Sequence, residues 1–183
     1  MICWTNQVKT QDGEQTLEEF LKSSSDVDWK NIQYPETFYD KVTKTEKIEP
    51  TRISNFWIAL NDDFHLINEK NEPKVVDGVY YYKTLGFCYR FYFDIDGVTK
   101  TIDAGLNQKI LMYDGSWKSL IDLTIGKDYA IVRSKSGDRP ARYLGVLLHI
   151  SKKNLMPHFT IHLENSAGIQ IGPGFVLSCN HSL

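Results

Sequence analysis

Short, dense runs of Val, Ile, Tyr and Phe, broken at regular intervals by turn residues, set the hydropathy pattern of this chain. Such residues fit a pleated, half-buried surface. They predict strands over Phe56–Leu60, Val79–Tyr82, Cys88–Asp94, Lys109–Met112, Tyr129–Arg133, Tyr143–Ile150, Phe159–Leu163 and Gly174–Leu177. Turn signals fall at Asp12-Gly13, Asp77-Gly78, Asp96-Gly97, Asp114-Gly115, Ser136-Gly137 and Gly172-Pro173-Gly174. The 3.6-residue period surfaces clearly once. Over Thr16–Leu21, Thr16 suits an N-cap, Glu18 and Glu19 favour the positive helix start, and Leu17, Phe20 and Leu21 share a face. Trp117–Leu123 is a weaker helical segment. Residues Ser23–Pro50 are polar and read as loop or insertion, with a short helix near Phe38–Val42.

The pattern therefore predicts a mainly β chain, and its 183 residues suit one domain with a proper core. With 42% apolar and 24% charged residues and a net charge of −2, it lacks the basic excess that grips nucleic acid. No apolar run approaches the roughly 20 residues of a membrane span, and the N-terminus lacks a signal pattern. A cytoplasmic monomer is expected, with neither nucleic acid nor membrane as partner. Three cysteines, Cys3, Cys88 and Cys179, are odd in number and widely spaced, so free thiols are expected rather than a disulfide framework or a zinc site of paired ligands.

Candidate chemistry lies at the two ends. Cys3 is close to one terminus and Cys179-Asn180 to the other. A cysteine sulfur can attack the carbonyl before it and turn the peptide into a thioester, given strain, oxyanion donors and protonation of the leaving nitrogen. A second thiol can take over the acyl group, and an asparagine amide can attack its own carbonyl and release the segment downstream of it. His158, His162 and His181 offer proton transfer in the same region. An approximate repeat joins the halves: Asn6-Gln7-Val8-Lys9 leads to Asp12-Gly13, Leu17 and Phe20, and Asn107-Gln108-Lys109-Ile110 leads to Asp114-Gly115, Leu120 and Leu123, with a one-residue slip. The bland reading is two ordinary Asp-Gly hairpins, a buried terminal thiol and solvent-facing histidines; Cys88, in an aromatic strand, reads as core.

These residues resemble the inteins, whose splicing domain is the Hint fold. Cys3–Leu21 is similar to the N-terminal splicing block, Asp103–Asp128 to the second block, and Phe159–Glu164 with Gly174–Asn180 to the two C-terminal blocks. The resemblance implies a Hint-like horseshoe of β-strands with pseudo-two-fold symmetry and one or two short helices. It also implies a mini-intein spanning 1–183, with extein remnants at 1–2 and about 179–183 and a variable region at 23–75. The activity implied is single-turnover protein splicing or autocleavage, with flanking extein polypeptide as substrate in cis.

In that scheme Cys3 forms the thioester, Cys179 as acyl acceptor or Asn180 by cyclisation is the C-terminal actor, and His162 with Gln108 handles orientation and protons. No metal or cofactor is required, although a thiol-binding metal would inhibit where Cys3 and Cys179 converge. Several positions depart from the family pattern. Gly105 and Gln108 stand where a Thr and a His are usual, Thr160 stands for an Asp, and Ser178-Cys179-Asn180-His181 replaces His-Asn before a nucleophile. Glutamine donates a hydrogen bond but transfers no proton at neutral pH. Either Asn180 ends the domain and His181 begins the downstream segment, or Cys179 begins it and Ser178 stands in the place of the terminal Asn. The alternative is a non-catalytic, partner-binding β domain or a degenerate Hint domain.

Overall fold

The computed structural model describes residues 1–26, 37–40, 42–48, 55–60, 64–82, 88–148 and 158–179. Along the chain run β1 (Ile2–Cys3), β2 (Gln7–Thr10), β3 (Gly13–Thr16), helix α1 (Leu17–Ser24), β4 (Thr37–Asp40), β5 (Thr45–Ile48), β6 (Asn55–Ala59), β7 (His65–Ile67) and β8 (Pro73–Tyr82). There follow β9 (Tyr89–Ile95), β10 (Val98–Ala104), β11 (Lys109–Leu111), β12 (Trp117–Ser119), a 3-10 turn (Leu120–Asp122), β13 (Tyr129–Val132), β14 (Arg139–Leu148), β15 (His158–Leu163), β16 (Gly168–Ile171) and β17 (Phe175–Ser178). Apart from the β4–β5 ribbon, the strands form one open antiparallel sheet in the order β3-β2-β16-β17-β13-β14-β9-β10-β1-β15-β8-β6, with β11 on β17, β12 on β11 and β7 on β8. The mainly β expectation holds, and no described helix is long and apolar enough to cross a membrane.

Local chemistry explains the clearest elements. Thr16 Oγ1 accepts from Glu19 N (3.1 Å) while the Glu19 carboxylate accepts from Thr16 N (3.3 Å), a reciprocal cap that starts α1. Leu17, Phe20 and Leu21 then face inward. The core they join includes Tyr81, Phe91, Phe93, Phe159 and Phe175, with the Phe93 ring 4.9 Å from Phe175 and 5.5 Å from Tyr143. Full burial of each such ring contributes about 1.5–3 kcal/mol.

Three sequence expectations need correction. The helix expected near Phe38–Val42 falls partly outside the described residues, and its described start is strand: Thr37–Asp40 pairs with Thr45–Ile48, as its Phe-Tyr content favours. Trp117–Leu123 begins as strand β12 against β11, and only Leu120–Asp122 turns. Asp77-Gly78 makes no chain reversal. It lies inside β8, where His162 pairs with Gly78 and Leu163 with Val76, so Asp77 is the extra residue of a bulge. Of the stretch expected to vary, Ile58, Leu60 and Leu66 lie in the main core.

The repeat seen in the sequence is present as a structural one. Hairpins β2–β3 and β11–β12 flank the β16–β17 hairpin, with β2 on β16 and β11 on β17. Leu17 N donates to Asn6 O (2.8 Å) and Glu18 N to Trp4 O (3.0 Å); Leu120 N donates to Gln108 O (2.9 Å) and Ile121 N to Leu106 O (3.0 Å). Asn6 thus corresponds to Gln108 rather than to Asn107. The slip has a source: Tyr113-Asp114-Gly115 forms the second loop where Gln11-Asp12 suffices for the first.

The β16–β17 connection depends on close backbone approach. Gly174 has φ +135°, and a Cβ there would fall 2.0 Å from the Arg133 carbonyl oxygen. We expect Gly174→Ala to destabilise the fold by about 3 kcal/mol or more. Gly13, at φ +124° with no atom within 4 Å of a built Cβ, should lose only about 1 kcal/mol on the same change. Urea unfolding of both variants checks this; equal losses would remove the contact with Arg133 as the cause.

Candidate functional site where the chain ends meet

Two residues, Ile2 and Cys3, form β1, which is inserted between β10 and β15: Ile2 pairs with Ala104 on one side and Phe159 on the other, and Cys3 pairs with His158. So short a strand needs outside support, and the turn after it supplies that. The Asn6 side-chain amide donates to Cys3 O (2.8 Å) and Asp103 O (2.5 Å), and its carbonyl accepts from Asp103 N (2.9 Å). Asp103 is itself buried and held by Arg90 through two bonds (2.8 and 3.0 Å) and by the Thr5 hydroxyl (2.7 Å). The hydrogen bond to Asp103 raises the Arg90 guanidinium above its ordinary range.

At the symmetry-related place, buried Gln108 joins the two ends. Its side-chain oxygen accepts from the Met1 amine, and its Nε2 donates to Ser178 O (3.1 Å), Ser178 Oγ (3.0 Å) and Lys109 O (3.0 Å). Residues separated by 107 and 70 positions are thereby fixed on one amide. Gly105 N also donates to Met1 O at 3.1 Å. Burial alone pulls the Met1 amine down to about 5.

The proposed site residues are thus divided between places. Gln108 and Ser178 touch each other, and Met1 rather than Cys3 completes their contact. Cys179 follows β17 as a free, buried thiol with Sγ 3.7 Å from Ser166 O, and burial, then the Glu69 charge, push it up to about 12. His162 lies further along β15, edge-on to Trp57 (5.2 Å) and Tyr80 (5.6 Å). Thr160 is buried in the same strand, paired with Tyr80. Asn180 and His181 lie outside the described residues.

The expectation of three free thiols is corrected. Cys3 forms a disulfide with Cys88, 85 residues away, with a Cα separation of 6.6 Å. Cys88 lies just before β9, and the β9–β10–β1 ladders bring it to Cys3. Nothing local in the sequence encodes that meeting. Reasoning from sequence also passed over Met1, Asn6 and Asp103 as site-forming residues, because each acts through a partner about 100 residues away. His158, opposite Cys3, is 1% exposed, and neither ring nitrogen is hydrogen-bonded among the described residues; burial, then the nearby terminal amine, lower it to about 4.

Comparison with solved structures places this architecture. The chain is similar to the TvoVMA intein (13% identity, TM-score 0.65, covering 98% of this chain and 97% of that one). It is also similar to the transcription factor IIB Mvu mini-intein (11%, 0.65, 97% and 99%) and to the Ssp DnaB mini-intein variant M86 (12%, 0.57, 99% and 95%). Identities this low show the fold, and the fold is the mini-intein Hint fold. No family model and no curated protein matches the sequence.

The geometry sets two expectations. Asn6→Ala, which strips the buried Asp103 N–H and carbonyl of their side-chain partner and leaves Cys3 O only the Asn6 N–H (3.3 Å), should cost about 2–3 kcal/mol in urea unfolding. Without reductant, the native chain should expose no thiol to Ellman's reagent even at pH 9, since Cys179 titrates only near 12. Urea should reveal one thiol, and urea with prior reduction all three. One rapidly reacting native thiol would contradict the burial of Cys179, and three would contradict the disulfide as well.

Proposed function

We propose that this chain is a cis-acting, single-turnover autoprocessing domain that cuts, or cuts and rejoins, the polypeptide attached to its ends. The observation that carries the reading is the contact of one side chain, Gln108, with both Met1 and Ser178. Backbone rearrangement between two flanking segments requires such a meeting point, and the Hint fold supports it. The extein segments are the only substrate this reading needs, and the domain acts as a cytoplasmic monomer without metal or organic cofactor.

In this reading Cys3, once freed from Cys88, attacks the Ile2 carbonyl; the peptide bond becomes a thioester and the Cys3 nitrogen gains the proton. The C-terminal actor is Cys179 or Asn180. Where Cys179 opens the downstream segment it takes the acyl group, with its thiol proton passing to the released Cys3 sulfur; where Asn180 ends the domain, its side-chain amide closes on its own carbonyl, the Asn180–His181 bond breaks and the His181 nitrogen takes the proton, which gives cleavage rather than ligation. Ser178 and Gln108 orient the junctions, with Thr160 and His162 further along β15, the strand that pairs with β1. Glutamine orients an amide without protonating it, and a thiol held near 12 is a slow acceptor, so slow processing is expected.

A second reading, a degenerate Hint domain that keeps the fold without the chemistry, is favoured by two observations: Met1 rather than Cys3 at Gln108, and the Cys3–Cys88 disulfide. Intact mass over time, with folded reporters on both ends and with or without dithiothreitol, separates the two. Cleavage or ligation after Ile2 in reductant, abolished by Cys3→Ala, is the expected result. Persistence of dithiothreitol-induced cleavage in Cys3→Ala would remove Cys3 from the mechanism. An unchanged mass over days in reductant would establish the degenerate reading.

A further inference from the structure

We infer that Cys3, Cys88 and His158, in the thiol state, form a binding site for a soft metal cation of the zinc(II) class. The inference stands apart from the autoprocessing reading, because it concerns a binding equilibrium of the folded chain.

Three features of the site support it. The two sulfurs and a ring nitrogen of His158 lie within 4.8 Å of one another, and all three residues are buried. Ligands at about 2.0–2.3 Å from a tetrahedral zinc lie roughly 3.5 Å apart, a spread that small side-chain rotations reach from this arrangement. His158 supplies the second observation. It is 1% exposed, and among the described residues neither ring nitrogen has a hydrogen-bond partner. A buried polar atom left unpaired is destabilising, and coordination would satisfy one of the two.

The chemistry of the donors selects the ligand. Two thiolates and a neutral imidazole suit zinc or copper(I) and disfavour hard cations such as magnesium. With three protein ligands, a fourth position remains for water or another donor. The scaffold is also rigid where it matters. Cys3 and His158 are directly paired across β1 and β15, and the Asn6 network fixes the Cys3 carbonyl.

Oxidation state decides whether the site exists. Two electrons and two protons from an external dithiol, itself oxidised to a disulfide, return Cys3 and Cys88 to thiols. The cation then displaces the two thiol protons, and both thiolates bond to it. Reoxidation by a disulfide reverses the sequence and expels the metal. In a compartment that keeps thiols reduced, two cysteines and a histidine brought together in this way are more often a metal site than a disulfide.

The test uses the full chain, first reduced with a phosphine and then freed of it. Cobalt(II) serves as the spectroscopic probe and zinc(II) as its competitor. Reduced wild-type chain should take up one cobalt with sulfur-to-metal charge-transfer absorption, and equimolar zinc should abolish that absorption. Oxidised chain should show none. Cys88→Ser and His158→Phe should lose stoichiometric binding, and Cys179→Ser should retain it. Reduced and oxidised wild-type chains binding equally would overturn the inference without any substitution, whatever the variants do to folding. So would full binding by Cys88→Ser, or its loss in Cys179→Ser alone. Because the readout is metal uptake, an inactive chain that binds zinc still supports the site.

Discussion

A strand of two residues holds this structure together. β1 has too few backbone hydrogen bonds to persist alone, yet β10 and β15 meet through it, one on each side. Its position is therefore imposed by the turn after it, where Asn6 binds the backbone of both Cys3 and Asp103 and Asp103 is anchored by Arg90 and Thr5. The exposed part of the Arg90–Asp103 pair adds modestly to stability. Its larger contribution is geometric: a buried carboxylate held by both Arg90 and Thr5 has one acceptable place, and β1 must adopt it. The juxtapositions of Cys3 with His158, Cys3 with Cys88 and Met1 with Gln108 all descend from that placement.

The pseudo-two-fold repeat gives the same solution twice with different uses. Asn6 and Gln108 occupy equivalent positions ahead of equivalent hairpins, and each spreads an uncharged amide over chain segments distant in sequence. Asn6 directs its amide to backbone groups on either side of β1. Gln108, one methylene longer, reaches across to the β17 end and to Met1. A symmetric frame thus produces a single asymmetric site, at the member of the pair whose side chain faces the two ends.

Much of this frame was legible in the sequence, for identifiable reasons. The strands dense in Val, Ile, Tyr and Phe were visible from β propensity, and α1 from its Thr16–Glu19 cap and apolar face. Less visible were elements whose existence depends on distant partners. β1 is two residues long, the outer half of β10 (Val98–Thr101) is exposed and largely polar, and β7 and β16 are stabilised by pairing with other parts of the sheet. The Asp77-Gly78 pair looked like a turn because the local preference of the dipeptide is the same for a turn and a bulge; only the β15 partner decides between them. The candidate site was half legible. Gln108 and Ser178 were singled out and do touch, but the Cys3–Cys88–His158 cluster is formed wholly by strand pairing.

One sulfur atom is asked to serve several ends. Cys3 Sγ is half of a disulfide, and the two proposals would make it a ligand or a nucleophile; each use excludes the others. The disulfide and the metal both remove the thiol, but they respond to different variables, the first to redox poise and the second to free metal at fixed reducing poise. Burial adds a further bias, since a thiolate without a metal or a cationic neighbour is disfavoured in a dry site. His158 is held neutral there, so it cannot supply that charge. Any nucleophilic use of Cys3 must therefore begin from a reduced, metal-free thiol. Under the proposed autoprocessing reading, chemistry at β1 would be limited first by the state of this sulfur and only afterwards by the alignment of the flanking segments.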